Sequence, residues 1–450
     1  MKLFKNYFSL EKNEKIRLLV GGLLFFFIIS SYALLQELKY AIFSMTVGSY
    51  YIPFAKIVTL IFIIPAIAID SYLVNNFRRH QLIIIYITIF ALLGYSLTFF
   101  LSNNDIGIFN KNISPNRTFG WLFLLYVEAF APFLIGVFWA FMNSIHHPKS
   151  SQKTYGFIVA LSKLGGMLSC FFAGFFLDKL FLGYLLVESK IIFILLVISS
   201  ILLVSSFFAI FAIYILDCKN FHGYHTTAKE KNKKTGILVG IKLLFTKKFV
   251  LGIFLVIFFN DIIGEILNYK RITIVIFNNG GDIKGGEALQ DLFLHSCYLH
   301  FAGLMISIFF TNMFMRSIGV IKCLYIMPII TILLSVVYCV YNENQIIIWL
   351  YIVTKAISYT ISMPARESLY IVTNKDIQFK AKFVTDSLAV KMARNIGQTL
   401  NYIGNIVNNQ AFNNFFINSL FGIFPILSII TVFYIGKIYS KYIENNRLID

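Results

Sequence analysis

The sequence predicts an all-α membrane protein, a bundle of twelve transmembrane helices built as two halves of six. Three observations lead there. Of the 450 residues 58% are hydrophobic and 13% charged, whereas a soluble domain has about 45–50% apolar and about 25% charged residues. Apolar runs of spanning length, about 20 residues each, recur along the whole chain and leave no room for a large extramembrane domain. Stretches such as Ile191–Ile198 lack the strict alternation that strands of a closed barrel need, so helices are the remaining way to satisfy the backbone in lipid.

The runs are taken in order. α1 (18–42) follows a Lys-rich start and has no small-residue cleavage site after it, so it reads as a retained helix and not a signal peptide. α2 (50–70) opens on Ile52-Pro-Phe-Ala-Lys56, and α3 (82–101) follows Arg78 and Arg79. α4 (119–145) carries Glu128, α5 (154–178) carries Lys163-Leu-Gly-Gly166 midway, and α6 (191–216) closes the first half, residues 1–216. Residues 217–248 form the longest polar connection, with eight lysines and the run Lys229-Glu-Lys-Asn-Lys-Lys234. They read as a solvated linker that sets orientation, with anionic-lipid contact as the sharper alternative. His222 and His225 within it do not make a metal-ligand set, and no metal or cofactor is expected. The second half, 249–450, holds α7 (249–277), α8 (291–315), α9 (320–341), α10 (346–370), α11 (383–408) and α12 (416–438). Six of eight prolines fall within these runs, which a kinked helix bundle tolerates. Five cysteines, odd in number and mostly inside apolar runs, read as small packing residues.

The formal charge of +18 would suggest nucleic acid in a soluble protein, but here it reflects topology, and no nucleic-acid partner is expected. Of 39 Lys and Arg, 25 fall in the N-terminus, the even-numbered connections and the tail, against five in the odd-numbered connections. The positive-inside rule therefore puts both termini and residues 217–248 in the cytoplasm of a cell that carries the chain in its inner or plasma membrane.

Nine cations remain in or at the edges of the spans, namely Lys39, Lys56, Lys163, Lys270, Arg271, Lys355, Arg366, Lys391 and Arg394. Six acids accompany them, Glu37, Glu128, Asp261, Glu265, Glu367 and Asp386. A charge at a helix centre costs about 2.5–3.5 kcal/mol on insertion scales, so these groups should face a polar cavity. Glu128, Lys163, Asp261, Lys355, Lys391 and Arg394 come near the midplane, while Glu37, Lys39, Lys56, Glu265, Lys270 and Arg271 occupy the outer half and Arg366, Glu367 and Asp386 lie near the cytoplasmic end. Lys391 and Arg394, three apart, project from one face of α11 and repel unless an anion joins them. The bland alternative for any one residue is an interhelical salt bridge. For the whole set it fails on arithmetic, because cations outnumber acids by three, and a net positive buried cavity suits a polyanion. Tyr40, Tyr126, Trp139 and Tyr269 could stack a base or ring beside it, or simply pack.

Enzyme readings are disfavoured by the absence of H-E-x-x-H, Walker and G-x-S-x-G sequences and of a loop large enough to carry catalytic groups, and a membrane enzyme or assembly scaffold stays as a runner-up to a transporter. The halves also read as a degenerate repeat, with Glu37 and Lys39 in α1 echoed by Glu265 and Lys270 in α7, and Lys163 in α5 echoed by Arg394 in α11. Parallel six-helix repeats with substrate held between them are how the major-facilitator architecture is built.

Pro364-Ala-Arg-Glu-Ser-Leu-Tyr-Ile371, followed by Lys380-Ala-Lys382, Asp386, Lys391 and Arg394, resembles the helix 10 to 11 signature of the ATP/ADP translocases of obligate intracellular bacteria and plastids, also called nucleotide transporters. Leu35-Gln-Glu-Leu-Lys39, Ile52-Pro-Phe-Ala-Lys56, Tyr126-Val-Glu-Ala and Asn260 through Lys270 are similar to the segments of that family in α1, α2, α4 and α7. The resemblance implies a major-facilitator-like nucleotide transporter, with Lys39, Glu128, Glu265 and Arg394 bearing on substrate and Lys391 beside them. Gln36 and Tyr40 depart from the family pattern, and related members handle other nucleotides, nicotinamide dinucleotide or proton-coupled uptake.

The expectation is therefore a monomeric nucleotide transporter in the bilayer that exchanges ATP for ADP by alternating access. Proton-coupled nucleotide uptake and carriage of another organic anion are the alternatives. Lys39, Glu128, Lys163, Asp261, Glu265, Lys270, Lys391 and Arg394 are the candidate substrate residues; Glu37, Lys56, Lys355, Arg366, Glu367 and Asp386 are candidate gating or charge-pair residues.

Overall fold

The computed structural model describes residues 12–48, 76–145, 148–178, 185–216, 237–278, 286–341, 343–371, 381–406 and 410–444, with scattered positions between 51 and 73 and at 373 and 377. Within these the chain is an all-α bundle, and ten helices are long and apolar enough to cross a membrane. They are α1 (Lys12–Thr46), α3 (Arg79–Leu101), α4 (Thr118–Ile145), α5 (Pro148–Leu177), α6 (Val187–Leu216), α7 (Lys248–Asn278), α8 (Glu287–Ser317), α9 (Val320–Tyr341), α10 (Asn344–Ile371) and α12 (Gln410–Glu444).

The other two expected runs differ for separate reasons. The α2 run lies partly outside the described residues. α11 forms the helix Lys382–Ile406, but Lys391, Arg394, Asn395, Gln398 and Asn401 make it too polar to count by apolarity. It is held by its neighbours, not by lipid. The expected 217–248 linker lies outside the described residues up to 236, and its last part is the helix Ile237–Thr246, whose Leu244 is buried against α7.

Helix partners repeat at an offset of six. α1 packs on α4, α5 and α6, and α7 packs on α10, α11 and α12; likewise α3 packs on α6, and α9 on α12. The apolar core follows the same division. One cluster is built from α1, α3, α4, α5 and α6 with Leu289 and Phe293 of α8, and two others come from Leu244 and residues after it. A fourth joins Tyr40, Phe43, Ile52 and Leu124 to Ile272, Val275, Ala288 and Leu292, sealing the end of the bundle where α1 finishes. α3, α6, α9 and α12 carry charge only toward their ends and present side chains such as Phe99, Phe207, Val340 and Phe433 outward, as lipid-facing helices must. Cys170 and Cys323 are buried packing residues, whereas Cys339 is exposed on α9, so the packing reading fails for it.

α4, α8 and α10 each contain one π turn, at Ala131–Ile135, Ser307–Thr311 and Ser358–Ser362. Such i→i+5 turns recur at functional sites because they re-aim the following side chains. α5 is drawn tightly onto two neighbours through adjacent glycines. A Cβ at Gly165 would stand 2.6 Å from the Phe26 carbonyl oxygen of α1, and one at Gly166 would stand 2.6 Å from the His300 ring of α8. We expect Gly165→Ala to lower the thermal stability of the detergent-purified protein by about 1–3 kcal/mol, the cost of overpacking against backbone. Gly422→Ala, with nothing within 4 Å of the added carbon, should be neutral or mildly stabilising; equal effects at the two positions would contradict the close approach.

Candidate functional site

Charges that membrane insertion should exclude converge on one carboxylate. Glu128 lies one residue pair before the end of the first segment of α4, just ahead of the π turn, with its side chain 3% exposed. Its Oε1 accepts from Lys39 of α1 at 2.8 Å and from Lys56 of the α2 run at 3.3 Å; its Oε2 accepts from Lys391 at 2.5 Å and from Arg394 at 3.2 Å, both on α11. Lys391 also donates to the Glu128 carbonyl at 3.3 Å. A carboxylate offers about four acceptor positions, so this one is saturated, and it joins α1 and α2 on one side to α11 on the other.

Glu265 of α7 is the second acid of the cluster. It stands 3.6 Å from the Lys56 ammonium and accepts from Gln398 of α11 at 2.7 Å. Four cations thus share two carboxylates, a surplus of two positive charges in a buried site. Removing an ion from water costs several kcal/mol even after relaxation, and attraction repays it only when the charges balance. The described residues leave that balance unmet.

Gln36, not named as a candidate, and the aromatic candidate Tyr40 contact the same lysines. Gln36 accepts from Lys39 at 2.7 Å, and the Tyr40 hydroxyl accepts from Lys56 at 3.2 Å while its ring lies under the Lys39 and Lys56 ammonium groups at 4.8 and 5.4 Å. These are the two α1 positions at which the sequence departs from the motif it resembles, and no sequence signal marked Gln36 as part of the site. Of the other aromatic candidates, Trp139 is packed among Phe25, Phe138 and Tyr155 in the core, and the Tyr126 hydroxyl donates to the Phe90 carbonyl between α3 and α4. Both are packing residues.

Among the described residues, three further ion pairs lie within the bundle. Arg271 of α7 donates to Glu37 of α1 at 2.9 and 3.1 Å, Ser296 of α8 donates to the same carboxylate, and Tyr351 of α10 lies under the guanidinium at 4.6 Å. The neighbouring candidate Lys270 is half-buried and is not among the cations on Glu128. Lys355 stands 3.8 Å from Asp261, and Lys382 donates to Glu367 at 2.5 Å. Lys163, on α5, has no ion pair among the described residues; its ammonium lies over the Tyr359 ring at 4.3 Å. Arg366 is half-buried on α10, and the Asp386 side chain lies outside the described set. Among the described residues no group of three His, Cys, Asp or Glu is placed to hold a metal ion.

No family model matches the chain, and no curated protein matches it. Solved structures do. A proton:xylose symporter of the major facilitator superfamily, XylE, superposes with a TM-score of 0.66 over 94% of this chain and 95% of its own at 14% identity. A bacterial homologue of the iron transporter ferroportin, in an outward-facing state, gives 0.65 over 95% and 100% at 12% identity, and the Escherichia coli fucose:proton symporter FucP gives 0.59 over 92% and 97% at 12% identity. The chain has the major-facilitator fold. In that architecture the substrate is held between the two six-helix repeats near the midplane, and the Glu128 cluster bridges helices of both.

Proposed function

We propose that the chain is a transporter of nucleotides, carried as polyanions through a cavity between the two halves, and that it works by exchange. The observation that carries this reading is the hub itself, three buried lysines and a half-buried arginine on two acids with two positive charges left over. Lysine ammonium groups and a forked guanidinium are the donors suited to phosphoryl oxygens, and the motif resemblance along α1, α4, α7 and α11 selects nucleotides among phosphorylated anions.

The same geometry supplies a mechanism. Glu128 clamps Lys391 and Arg394 of α11 to Lys39 and Lys56, so the empty carrier is held across its midline. Phosphates that take over the cations weaken that clamp and let the halves rock, and only a loaded carrier returns. That is the condition for exchange. The lysine distribution puts residues 217–248 and both termini on the cytoplasmic side.

The test is uptake of a labelled panel, covering nucleoside mono-, di- and triphosphates, nicotinamide dinucleotide, sugar phosphates and free sugars, into cells expressing the chain. Saturable nucleotide uptake that is lost in Arg394→Ala at normal expression supports the reading. Uptake of a non-nucleotide organic anion alone would replace the substrate, and nucleotide uptake abolished by an uncoupler would replace exchange with proton symport.

A further inference from the structure

The Glu128 hub does not account for Lys163. Its ammonium is buried at the middle of α5 (5% exposed), with the Tyr359 ring of α10 as its neighbour and no carboxylate among the described residues. His300 of α8, pressed against Gly166 one turn further along α5, is also buried, and its Nδ1 has no hydrogen-bond partner among the described residues. Gly303, three residues on from His300, admits the Lys163 stem, since a Cβ there would stand 3.1 Å from its Cδ.

A second ammonium, that of Lys355, lies over the same Tyr359 ring at 5.8 Å and stands 3.8 Å from Asp261. Of the two lysines only Lys355 has an acid among the described residues, a surplus of one positive charge. Two π turns meet at this place, where the Thr311 hydroxyl donates to the Thr360 carbonyl at 2.9 Å. Asp261 precedes Glu265 by four residues on α7, so this group stands about 6 Å along the helix from the hub. An ammonium buried in the bilayer without a counter-charge costs about 2.5–3.5 kcal/mol. Among the described residues only the face of the Tyr359 ring offsets part of it, and no carboxylate does.

We propose that Lys163, His300 and Lys355 form a second anion-binding locus, which takes a further phosphoryl group of the molecule whose first phosphoryl group occupies the Glu128 hub. The inference rests on the polyanion reading above and sharpens it: the favoured ligand carries a linear run of phosphoryl groups long enough to touch both loci. At the second locus a phosphoryl oxygen accepts from the Lys163 ammonium and from the His300 ring, while Lys355 turns from Asp261 toward it.

Inorganic probes test this without any base or ribose. Binding of phosphate, pyrophosphate and tripolyphosphate is measured by calorimetry on the full chain purified in detergent, as wild type, Lys163→Gln and Lys163→Arg. The expected result is affinity rising along the series in the wild type. Lys163→Gln should weaken tripolyphosphate by about tenfold or more, the worth of a charge-assisted hydrogen bond, and phosphate by less than about twofold, while Lys163→Arg keeps the wild-type order. Because no ion pair is broken, Lys163→Gln should leave the thermal stability of the ligand-free protein equal or higher. Equal affinities along the wild-type series, equal loss for all three probes, or a destabilised ligand-free variant would overturn the second locus. Failure of the nucleotide reading is distinguishable: tripolyphosphate would bind in a Lys163-dependent way while the cells take up no nucleotide.

Discussion

Glu128→Gln is expected to abolish transport and to destabilise the empty protein, and to do the second reversibly. Glutamine keeps the size and hydrogen-bonding shape of the side chain but removes the charge on which Lys39, Lys56, Lys391 and Arg394 converge. Only Glu265 then remains near four cations. Breaking a buried ion pair by deleting one partner costs about 3–5 kcal/mol, and here one deletion strips several pairs at once. The variant should unfold several degrees below wild type in detergent and recover most of that loss when pyrophosphate or tripolyphosphate is added, because the anion replaces the missing charge. Recovery must exceed the shift that the same anion gives the wild type. Glu128→Asp, which shortens the reach but keeps the charge, should fall between the two. A Glu128→Gln protein of unchanged stability and flux would mean that the cluster is neither a clamp nor a substrate site.

The second large effect is expected at the sealed end of the bundle. Glu37 and Arg271 belong to α1 and α7, 234 residues apart, and the pair is buried over an apolar cluster drawn from α1, α2, α4, α7 and α8. For the halves to part at this end the pair must break. Arg271→Gln leaves Glu37 as a buried carboxylate with Ser296 as its remaining donor, and Glu37→Gln leaves the guanidinium over Tyr351 without an acid. Each single variant should lose stability and transport. The double variant, Glu37→Gln with Arg271→Gln, should be more stable than either, with a coupling energy of about 1–3 kcal/mol in a double-mutant cycle. Additive losses would show that the two residues act separately and that the end is sealed by apolar packing alone.

Much of this site was legible in the sequence because charge inside a span has so few explanations. Lys391 and Arg394 were placed on one face by their spacing, and both do reach Glu128 Oε2. Depth served less well. Lys39 and Lys56 were assigned to the outer half, yet their ammonium groups meet a carboxylate assigned to the midplane, since a lysine stem reaches well along the bundle from its own Cα. Lys270 is the substrate candidate in the sequence, whereas Arg271 beside it is the residue that pairs with Glu37, a difference set by helical phase. Neighbouring residues point about 100° apart on an α-helix, and only the packing of α7 against α1 and α8 decides which of the two turns inward. Span counting by apolarity was weakest at α11, where the residues that line the site are the ones that dilute the run. The π turns of α4, α8 and α10 have no signature in hydrophobic pattern, and they set the register of the side chains that follow. That Lys163 has no ion pair among the described residues is likewise a fact of three dimensions. A sequence displays a cation but not the lack of an acid across from it.

The most direct test of the central claim is counterflow with purified protein. Proteoliposomes are preloaded with labelled ATP, and its efflux is followed into buffer with and without unlabelled ADP, for wild type and Arg394→Ala, with the proton gradient collapsed. The account predicts slow efflux into empty buffer, strong acceleration by external ADP, no dependence on the gradient, and loss of the acceleration in Arg394→Ala. Efflux equally fast into empty buffer, or acceleration that survives in Arg394→Ala, would contradict a charge clamp opened by the substrate.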